Sequence, residues 1–408
     1  MTDMETKSLV SPSEGFLVKR RSKHNDKIKP YVKRITEFIV VSQWVTGFLC
    51  FGLLCLLVSA FLFYSLLKHL LIITIFTVGY PDHVSPIDVS QSEQIYVVTL
   101  IGLITGYLIY WQDDRGAEER GGHLRPWIRK LALWDYLADY FPVQLVLSEE
   151  LCAHSMADPK SPSKEELVKG TGFCGLAIDR NYMVGYHPHG VFCTGAFVNF
   201  VTEATGFTQA FPGITAWLAV LKAHFKSPVY RDYLLSLGII AATRKGLRYL
   251  LDSNECKKTG NFVIVVLGGA PEALEARPGR YVMVTSRRFG FFKLALQTGS
   301  SLIPCISFGE QAMYKQIKND RGSWIRRAQD WFEKLSTFSP PLFYARGPIP
   351  YRTPVNTVVG APIPCDRIEN PTREQISELK QHYLDSLQQL FRRYKQAYDP
   401  DAEDIEFI

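Results

Sequence analysis

Two long apolar segments lie near the N-terminus of this 408-residue chain. Residues 38–63 carry no charge, and as a helix rising 1.5 Å per residue they would extend about 39 Å. A bilayer's hydrocarbon core is about 30 Å thick, so this segment predicts a tilted membrane-spanning helix. Residues 95–111 are also uncharged and are just long enough to cross. We therefore predict a membrane hairpin over residues 38–111, with crossings at about 38–63 and 95–111.

Charges that flank the hairpin predict its orientation. The leader, residues 1–37, contains a basic run, and further Arg and Lys residues follow the second crossing, whereas residues 81–94 contain acidic residues and no Lys or Arg. Lys and Arg are enriched on the cytoplasmic side, so we expect the leader and residues 112–408 in the cytosol. Lys68 interrupts the apolar stretch 38–79, which leaves a bent first helix, an interfacial stretch or a third pass as alternatives.

The pattern after residue 111 is that of an α/β domain. An apolar run at 262–267 ends in Gly268-Gly269, which is typical of a strand buried on both faces of a parallel sheet. Strands and helices alternate with crossover-length connections, and this predicts a mostly parallel sheet with helices packed on it. The predicted strands span 181–186, 262–267, 302–308 and 356–359, and predicted helices span 191–204 and 291–298.

Two further segments complete the predicted domain. Thr372 and Gln375 form a capping box that opens a C-terminal helix. Its apolar stripe predicts a face that packs on the domain, with a membrane surface as the alternative. The stripe consists of Ile376, Leu379, Tyr383, Leu387, Leu390 and Tyr394. Residues 148–172 are polar and contain Pro and Lys, which predicts a surface insertion without a catalytic part.

Composition excludes several classes of protein. The chain is 47% hydrophobic and 21% charged, which excludes a disordered or low-complexity protein. A net charge of +6 is too small to indicate nucleic-acid binding, and basic leader residues are expected beside a membrane helix. The eight cysteines contain no C-x-x-C pair, so we expect reduced, cytosol-facing thiols and no metal site built from them.

The strongest candidate for chemistry is Gly185-Tyr186-His187-Pro188-His189-Gly190, at the carboxyl end of a predicted strand, where α/β sheets bind ligands. His189, with His187 as the second choice, is a candidate general base because imidazole titrates near neutral pH. Pro188 and Gly190 favour a sharp turn, and backbone N–H groups beyond it could bind an oxyanion. Two alternatives stay open. The histidines could have a purely structural role, or they could form a His-x-His metal site, although few residues later in the sequence could supply its further ligands.

A second candidate follows the buried strand at 262–267. Gly268-Gly269 opens a turn that contains Glu272 and Arg277, and no dinucleotide or P-loop motif is present. If the two strands are neighbours, Glu272 would orient the histidine base and stabilise its imidazolium, with a helix cap as its alternative role. Arg277 would bind a phosphate or pair with a nearby acid. No serine or cysteine stands in a nucleophile motif, which favours direct proton abstraction from an acceptor hydroxyl.

Together these motifs resemble the type-two diacylglycerol acyltransferase family, which also contains monoacylglycerol, wax-alcohol and retinol acyltransferases. The resemblance runs from the hairpin to the C-terminal helix. It rests on Tyr140-Phe141-Pro142, His187-Pro188-His189-Gly190, Phe211-Pro212-Gly213-Ile214, Arg231-Asp232-Tyr233, Gly268-Gly269-Ala270 with Glu272 and Arg277-Pro278-Gly279, Ser307-Phe308-Gly309-Glu310, and Thr357-Val358-Val359-Gly360.

The resemblance implies a glycerolipid-acyltransferase-like α/β domain in an enzyme of the endoplasmic reticulum membrane, with lipid droplets as a further location. Acyl-CoA would be the donor substrate, and no cofactor or metal would be bound. A homo-oligomer is compatible with the resemblance. Diacylglycerol would be the acceptor, with monoacylglycerol, wax alcohol or retinol as alternatives. The long leader favours diacylglycerol, whereas residues 268–279 look closer to the monoacylglycerol enzymes.

The resemblance also implies roles for individual residues. Substrate-binding positions would be Tyr140, Phe141, Pro142, Gly268, Gly269 and Arg277. Distant glycerolipid acyltransferases use His-x-x-x-x-Asp, but Phe192 and Thr194 stand five residues after the two histidines, so we expect the base to find its acid at Glu272. Two other classes stay open: a non-enzymatic hairpin protein that coats lipid droplets, and a thioester hydrolase.

Overall fold

The computed structural model describes residues 15–18, 20, 29–79, 91–160, 175–336, 341–347 and 349–408. The N-terminal part of the chain contains three long helices, α1 (Pro30–Thr46), α2 (Gly52–Gly79) and α3 (Gln91–Asp113). A π-helical turn at Gly47–Phe51 joins α1 to α2, so the helical segment runs from residue 30 to residue 79. Lys68 lies exposed within this continuous helical segment.

Two segments of these helices, Pro30–Ile72 and Gln94–Glu119, are long and apolar enough to cross a membrane. Both predicted crossings lie inside them. Helices α2 and α3 pack against each other through buried Leu66, Val97 and Leu100. The rest of their surface exposes large apolar side chains to the surroundings, as a lipid-facing helix does.

The hairpin is tied to the following domain through Arg231, which is 2% exposed. Its guanidinium donates to the Asp114 carboxylate at 2.7 Å, just beyond the end of α3. The hydroxyl groups of Tyr107 and Tyr110 in α3 each donate to the Asp232 carboxylate at 2.9 Å. A fully buried arginine requires such partners, so this cluster sets where the hairpin meets the domain.

The domain is built on an eight-stranded sheet in the order β1-β2-β11-β8-β3-β6-β4-β5. Two pairings, β1 with β2 and β11 with β8, are antiparallel and the other five are parallel, as predicted. The strands are β1 Phe16–Leu17, β2 Val143–Leu147, β3 Tyr182–His187, β4 Thr215–Val220, β5 Ile239–Ala241, β6 Asn261–Val266, β7 Val282–Met283, β8 Ser301–Phe308, β9 Lys315–Gln316, β10 Phe343–Tyr344, β11 Val355–Val359 and β12 Glu406–Phe407.

Helices cover the sheet and bury its apolar residues in two clusters. They are α4 Pro126–Arg129, α5 Leu133–Tyr140, α6 Glu149–Ala157, α7 Thr194–Val201, α8 Phe207–Ala210, α9 Tyr230–Ser236, α10 Arg244–Leu251, α11 Ser253–Cys256, α12 Ala270–Ala273, α13 Phe289–Thr298, α14 Trp324–Ser336 and α15 Arg373–Tyr398. Short 3-10 turns occupy Ala117–Glu119, Lys222–Lys226 and Glu310–Ala312.

The four predicted strands are confirmed, and so is the C-terminal helix. The capping box at Thr372 and Gln375 is present, and Tyr383 and Leu387 of α15 are fully buried against the sheet. The stripe therefore packs on the domain rather than on a membrane. The helix predicted at 191–204 is shorter: α7 begins only at Thr194, because residues 191–193 are needed to turn the chain out of the preceding strand.

The segments predicted as a polar leader and a surface insertion are partly built into the domain. Phe16 and Leu17 add an edge strand, because this apolar pair finds a partner in β2. Residues 149–157 form α6, in which Leu151 is buried, whereas residues 161–174 lie outside the described part of the chain. Cys152 is disulfide-bonded, which corrects the expectation that all thiols are reduced: spacing along the sequence does not show which cysteines tertiary packing brings together.

Candidate active site

A cavity of about 890 Å³ lies where the leading helices meet the carboxyl edge of the sheet. One wall is the π-helical turn Gly47–Phe51 with the end of α1, and the other is the ends of β4 and β6. Its lining is mostly aliphatic and aromatic. Two imidazoles, those of His189 and His224, reach it from different walls. An apolar chamber with a few polar groups suits a lipid chain with a reactive head.

His189 is presented to the cavity by the sharp turn that follows β3. Gly190 has φ of +59°, and a Cβ there would lie 2.5 Å from Cγ of Glu310, so only glycine fits. Nδ1 of His189 lies 3.0 Å from the Gly190 carbonyl oxygen, which can only accept a hydrogen bond. Nδ1 therefore carries the proton, and Nε2 keeps the lone pair of a base. Burial lowers the pKa of His189, which favours the neutral ring.

His187 lies away from the cavity, inside the domain. It is completely buried, and its Nε2 lies 3.1 Å from the hydroxyl oxygen of Tyr383 in α15. Burial lowers the pKa of His187 to about 3, so the ring is neutral. The geometry separates the two histidines: His189 faces the space where a substrate can lie, and His187 joins the strand to the C-terminal helix.

Glu272 lies beside the turn, as predicted, but it contacts the backbone instead of the ring. Its Oε1 accepts from the His189 N–H at 2.7 Å, and its Oε2 accepts from the Val284 N–H at 3.0 Å. Gly268 makes room for it, because a Cβ at that position would collide with the carboxylate. Burial raises the pKa of Glu272 to about 7. This carboxyl group holds the backbone that carries the base.

Sequence reasoning gave no role to a second buried carboxyl group, Glu310, which follows β8. It accepts from the N–H of Thr194 at 2.6 Å, from the N–H of Gly195 at 2.9 Å and from the hydroxyl of Tyr186 at 3.0 Å. Burial raises its pKa to about 7. Its signal in the sequence was Gly309-Glu310 at a strand end, the same position as the histidine turn.

Glu310 also limits where an oxyanion can bind. The first amides of α7 are occupied by its carboxylate, so they are not free for a substrate. The amides of Gly190, Val191 and Phe192 have no hydrogen-bond acceptor among the described residues. Val191 and Phe192 line the cavity beside His189. The turn itself, rather than the helix after it, offers donors to a developing negative charge.

The Tyr140-Phe141-Pro142 motif does not line the cavity. The Tyr140 hydroxyl donates to the Pro350 carbonyl at 2.8 Å. Phe141 is fully buried and packs edge-on against Trp44 at 6.4 Å between ring centroids. Because Trp44 lines the cavity, this motif supports the wall from behind. Its contact with substrate stays a prediction.

The basic candidates are divided among structural and exposed positions. Arg277 donates to the Asn319 side chain at 2.7 Å and pairs with the nearby acid Asp320 at 3.6 Å, whereas Glu275 accepts from Arg326 at 2.8 Å. Arg288 donates to the Gly268 carbonyl at 2.6 Å and so braces the glycine turn. Gly269 lines the cavity, and Gly268 lies behind it. The two other basic residues of this region, Arg287 and Lys293, are exposed.

The described residues contain no group of three or more His, Cys, Asp or Glu side chains that could hold a metal ion. His189 and His187 point in different directions, so they cannot chelate one ion together. The chemistry that the site supports is proton transfer by one neutral imidazole in an apolar chamber, next to free backbone amides.

The chain is similar to known proteins over most of its length. The sequence profile described as diacylglycerol acyltransferase matches residues 93–156 and 167–407. Diacylglycerol O-acyltransferase 2 of Xenopus laevis is 37% identical over 390 residues, which cover 93% of this chain and 91% of the relative. The Homo sapiens protein of the same name is 34% identical over 384 residues, 92% of this chain and 83% of the relative.

Relatives with a different printed acceptor match as well. 2-acylglycerol O-acyltransferase 1 of Bos taurus is 39% identical over 309 residues, which cover 74% of this chain and 84% of the relative. Among solved structures, the 1-acyl-sn-glycerophosphate acyltransferase of Thermotoga maritima is 11% identical with a TM-score of 0.32, covering 89% of this chain and 99% of that one. The profile and the full-length relatives establish that this chain belongs to the diacylglycerol acyltransferase family.

Proposed function

We propose that this protein transfers a fatty acyl group from acyl-CoA to the free hydroxyl of diacylglycerol, which yields triacylglycerol and coenzyme A. One observation carries the proposal: His189 lines an apolar cavity at the edge of the sheet, with its Nδ1 3.0 Å from the Gly190 carbonyl oxygen, which leaves Nε2 as the basic nitrogen. Family membership supports the reaction class. Diacylglycerol O-acyltransferase 2 of Xenopus laevis matches over 93% of this chain and 91% of its own length, which favours diacylglycerol as the acceptor.

The proposed reaction needs one base and one oxyanion site. Nε2 of His189 removes the hydroxyl proton of the acceptor while its oxygen attacks the thioester carbonyl. Negative charge develops on the carbonyl oxygen, where the amides of Gly190, Val191 and Phe192 donate hydrogen bonds. The carbon–sulfur bond then breaks, and the imidazolium returns its proton to the departing thiolate of coenzyme A. The enzyme ends unchanged, and no covalent intermediate forms on the chain.

Glu272 and Glu310 position this turn from two sides in the proposed mechanism. Glu272 fixes the amide of His189, and Glu310 fixes the amides of the helix that follows. Neither carboxyl group accepts a proton from the imidazole. His187 extends the support by joining β3 to α15. The geometry supports an acid that stabilises the backbone of the base, in place of an acid that pairs with its ring.

The apolar helices support a membrane location for the reaction. Residues 47–51 belong to the longer apolar segment and also line the cavity, so a lipid in the bilayer could reach His189 without crossing water. We propose that α2 and α3 cross the endoplasmic reticulum membrane as a hairpin with the domain and both termini in the cytosol. Delivery of product to lipid droplets would follow from its insolubility in water.

Monoacylglycerol is the second candidate acceptor, because relatives named for 2-acylglycerol are as similar in sequence, at 39% for the Bos taurus protein. The cavity would accept either lipid, since both carry a glycerol hydroxyl next to an acyl chain. Wax alcohols and retinol remain further candidates on the same chemistry. Binding of coenzyme A phosphates by Arg277 stays a prediction, because its guanidinium already has a protein partner.

The test supplies labelled oleoyl-CoA to membranes that contain wild type, His189→Ala or His382→Ala. Diacylglycerol, monoacylglycerol, hexadecanol and retinol are offered separately. His382 is exposed on α15, so its variant controls for loss of a histidine elsewhere. We expect labelled triacylglycerol from wild type and from His382→Ala, and at least a 100-fold loss in His189→Ala, since general bases contribute about 10²–10⁴-fold. Free fatty acid as the only product would indicate a hydrolase. The absence of product with every acceptor would favour a non-enzymatic hairpin protein that coats lipid droplets.

A further inference from the structure

The second imidazole of the cavity belongs to His224, in the 3-10 turn Lys222–Lys226 that follows β4. Its ring lies between two aromatic side chains: the centroid distances are 6.4 Å to Phe48 of the π-helical turn and 6.2 Å to Tyr230 of α9. His224 therefore lies where the leading helix meets the domain, on a different wall from the base.

His224 has no hydrogen-bond partner among the described residues, although its surroundings are largely apolar. Two other polar groups of the lining do have partners: the Ser42 hydroxyl donates to the Phe38 carbonyl at 2.7 Å, and the Cys193 thiol donates to the His189 carbonyl at 3.1 Å. The ring nitrogens of His224 are therefore available to hydrogen-bond a ligand that enters the cavity.

The chemistry of an acylglycerol matches this arrangement. Its chains fill apolar volume, but its glycerol carries oxygens besides the reacting hydroxyl, and these lose water when the lipid enters the cavity. Burial lowers the pKa of His224, so the neutral ring offers one N–H donor and one acceptor nitrogen. A neutral donor suits an ester carbonyl or a second hydroxyl without the desolvation cost of a charge.

We propose that His224 is the subsite that hydrogen-bonds the non-reacting glycerol oxygens of the acceptor lipid, so that its free hydroxyl is directed at His189. The proposal rests on the proposed function and adds a substrate contact to it. The two imidazoles then have separate roles in one cavity: His189 removes the proton, and His224 holds the glycerol. A fatty alcohol lacks the oxygens that His224 recognises.

The test measures initial rates of purified full-length protein in mixed micelles, with the acceptor expressed as a mole fraction. His224→Phe keeps a ring of similar size but no polar atom, and His224→Asn restores a donor and an acceptor. His382→Phe places the same substitution on an exposed helix position as the matched control. We expect His224→Phe to raise the KM for dioleoylglycerol about tenfold, as loss of one hydrogen bond does. The KM for oleoyl-CoA should stay within about twofold, and His224→Asn should recover most of the change.

Hexadecanol as acceptor distinguishes recognition from packing. Its KM should be the same for wild type and His224→Phe, because it has no glycerol oxygens. An unchanged KM for dioleoylglycerol in His224→Phe would overturn the proposal. So would an equal fall in rate with every acceptor and no recovery in His224→Asn, which would assign His224 a structural role. Failure of wild type to esterify any acceptor would refute the proposed function itself. The activity of wild type is therefore measured before that of any variant.

Discussion

The contact between Glu272 and the backbone of His189 makes a prediction that separates two kinds of acid. In a catalytic triad the carboxylate pairs with the imidazole ring and stabilises its charged form. Here the carboxylate accepts from the His189 N–H and the Val284 N–H, at 2.7 and 3.0 Å. The perturbation is Glu272→Gln, which keeps the shape but turns one acceptor oxygen into an NH₂ group that cannot accept.

The structure sets the size of the effect. Glu272→Gln loses one of the two hydrogen bonds, and a bond to a charged group contributes about 1.5–3 kcal/mol. At 1.4 kcal/mol per factor of ten, this free energy corresponds to a fall in rate of roughly 10- to 150-fold. That range assumes that the whole loss acts on the placement of the His189 ring. Loss of the ring-pairing acid of a triad costs about 10⁴-fold. The two mechanisms differ by about two orders of magnitude in rate.

The assay compares kcat and kcat/KM of wild type and Glu272→Gln between pH 5.5 and 8.5 with oleoyl-CoA and diacylglycerol. Above pH 7, where Glu272 of wild type is mostly ionised, we expect the rate to fall within the smaller range. The midpoint that belongs to His189, below 6.5, should be unchanged because its ring has the same neighbours. Glu275→Gln is the matched control: the same exchange three residues on, at a carboxylate that accepts from Arg326 at 2.8 Å and does not touch the turn.

Two outcomes would refute this reasoning. A loss near 10⁴-fold with a displaced acidic limb would mean that Glu272 reaches the imidazole during the reaction. Near-normal turnover would mean that the histidine turn holds its shape without the carboxylate. Glu275→Gln should lower stability but retain most of the rate, so an equally inactive control would trace the loss to general destabilisation.

Three further predictions concern the same turn. Because burial lowers the pKa of His189, kcat/KM should rise from acid with a midpoint below the ordinary 6.5 and stay level through neutral pH, and a midpoint above 7 would contradict a buried base. Gly190→Ala should cost about 1–3 kcal/mol, since φ is +59° and the new Cβ meets the side chain of Glu310, and an unchanged thermal midpoint would show that the turn is not strained. The pKa of Glu310 is raised to about 7 in the folded chain, so its stabilising contribution is present at acid pH and is lost as pH rises from about 4.5 to 7. Glu310→Gln lacks this dependence, so in chemical unfolding its stability relative to wild type should increase from pH 5 to pH 8, and a constant difference would contradict the assignment.

Much of the architecture was predictable because it depends on local pattern. The run 262–267 is apolar at every position, which only a strand buried on both faces explains, and it forms β6 in the middle of the sheet. The stripe of the C-terminal helix repeats at helical spacing and is buried as expected. The two apolar helices were equally visible, because a long uncharged segment needs no tertiary information to be recognised.

The site was predictable only in outline. The sequence indicated that His189, His187 and Glu272 lie at one edge of the sheet, since strands ending in Gly-rich turns meet there. It could not tell the two histidines apart: they are two residues apart, and only the packing of α15 against β3 buries His187 beside Tyr383. Nor could it show that Glu272 would meet an amide instead of a ring.

By itself the sequence determined the two long apolar helices, the mostly parallel sheet and the turn that carries His189, because hydrophobic period, glycine and capping residues act over a few residues. Tertiary structure alone decided the cavity, which the π-helical turn of a leading helix and the ends of β4 and β6 close from far apart in the chain. It also decided that Glu310 lies beside the turn and that His224 lines the same cavity from another wall. Burial, and with it the pKa of each group, depends on every element packed around it, and no local pattern contains that information.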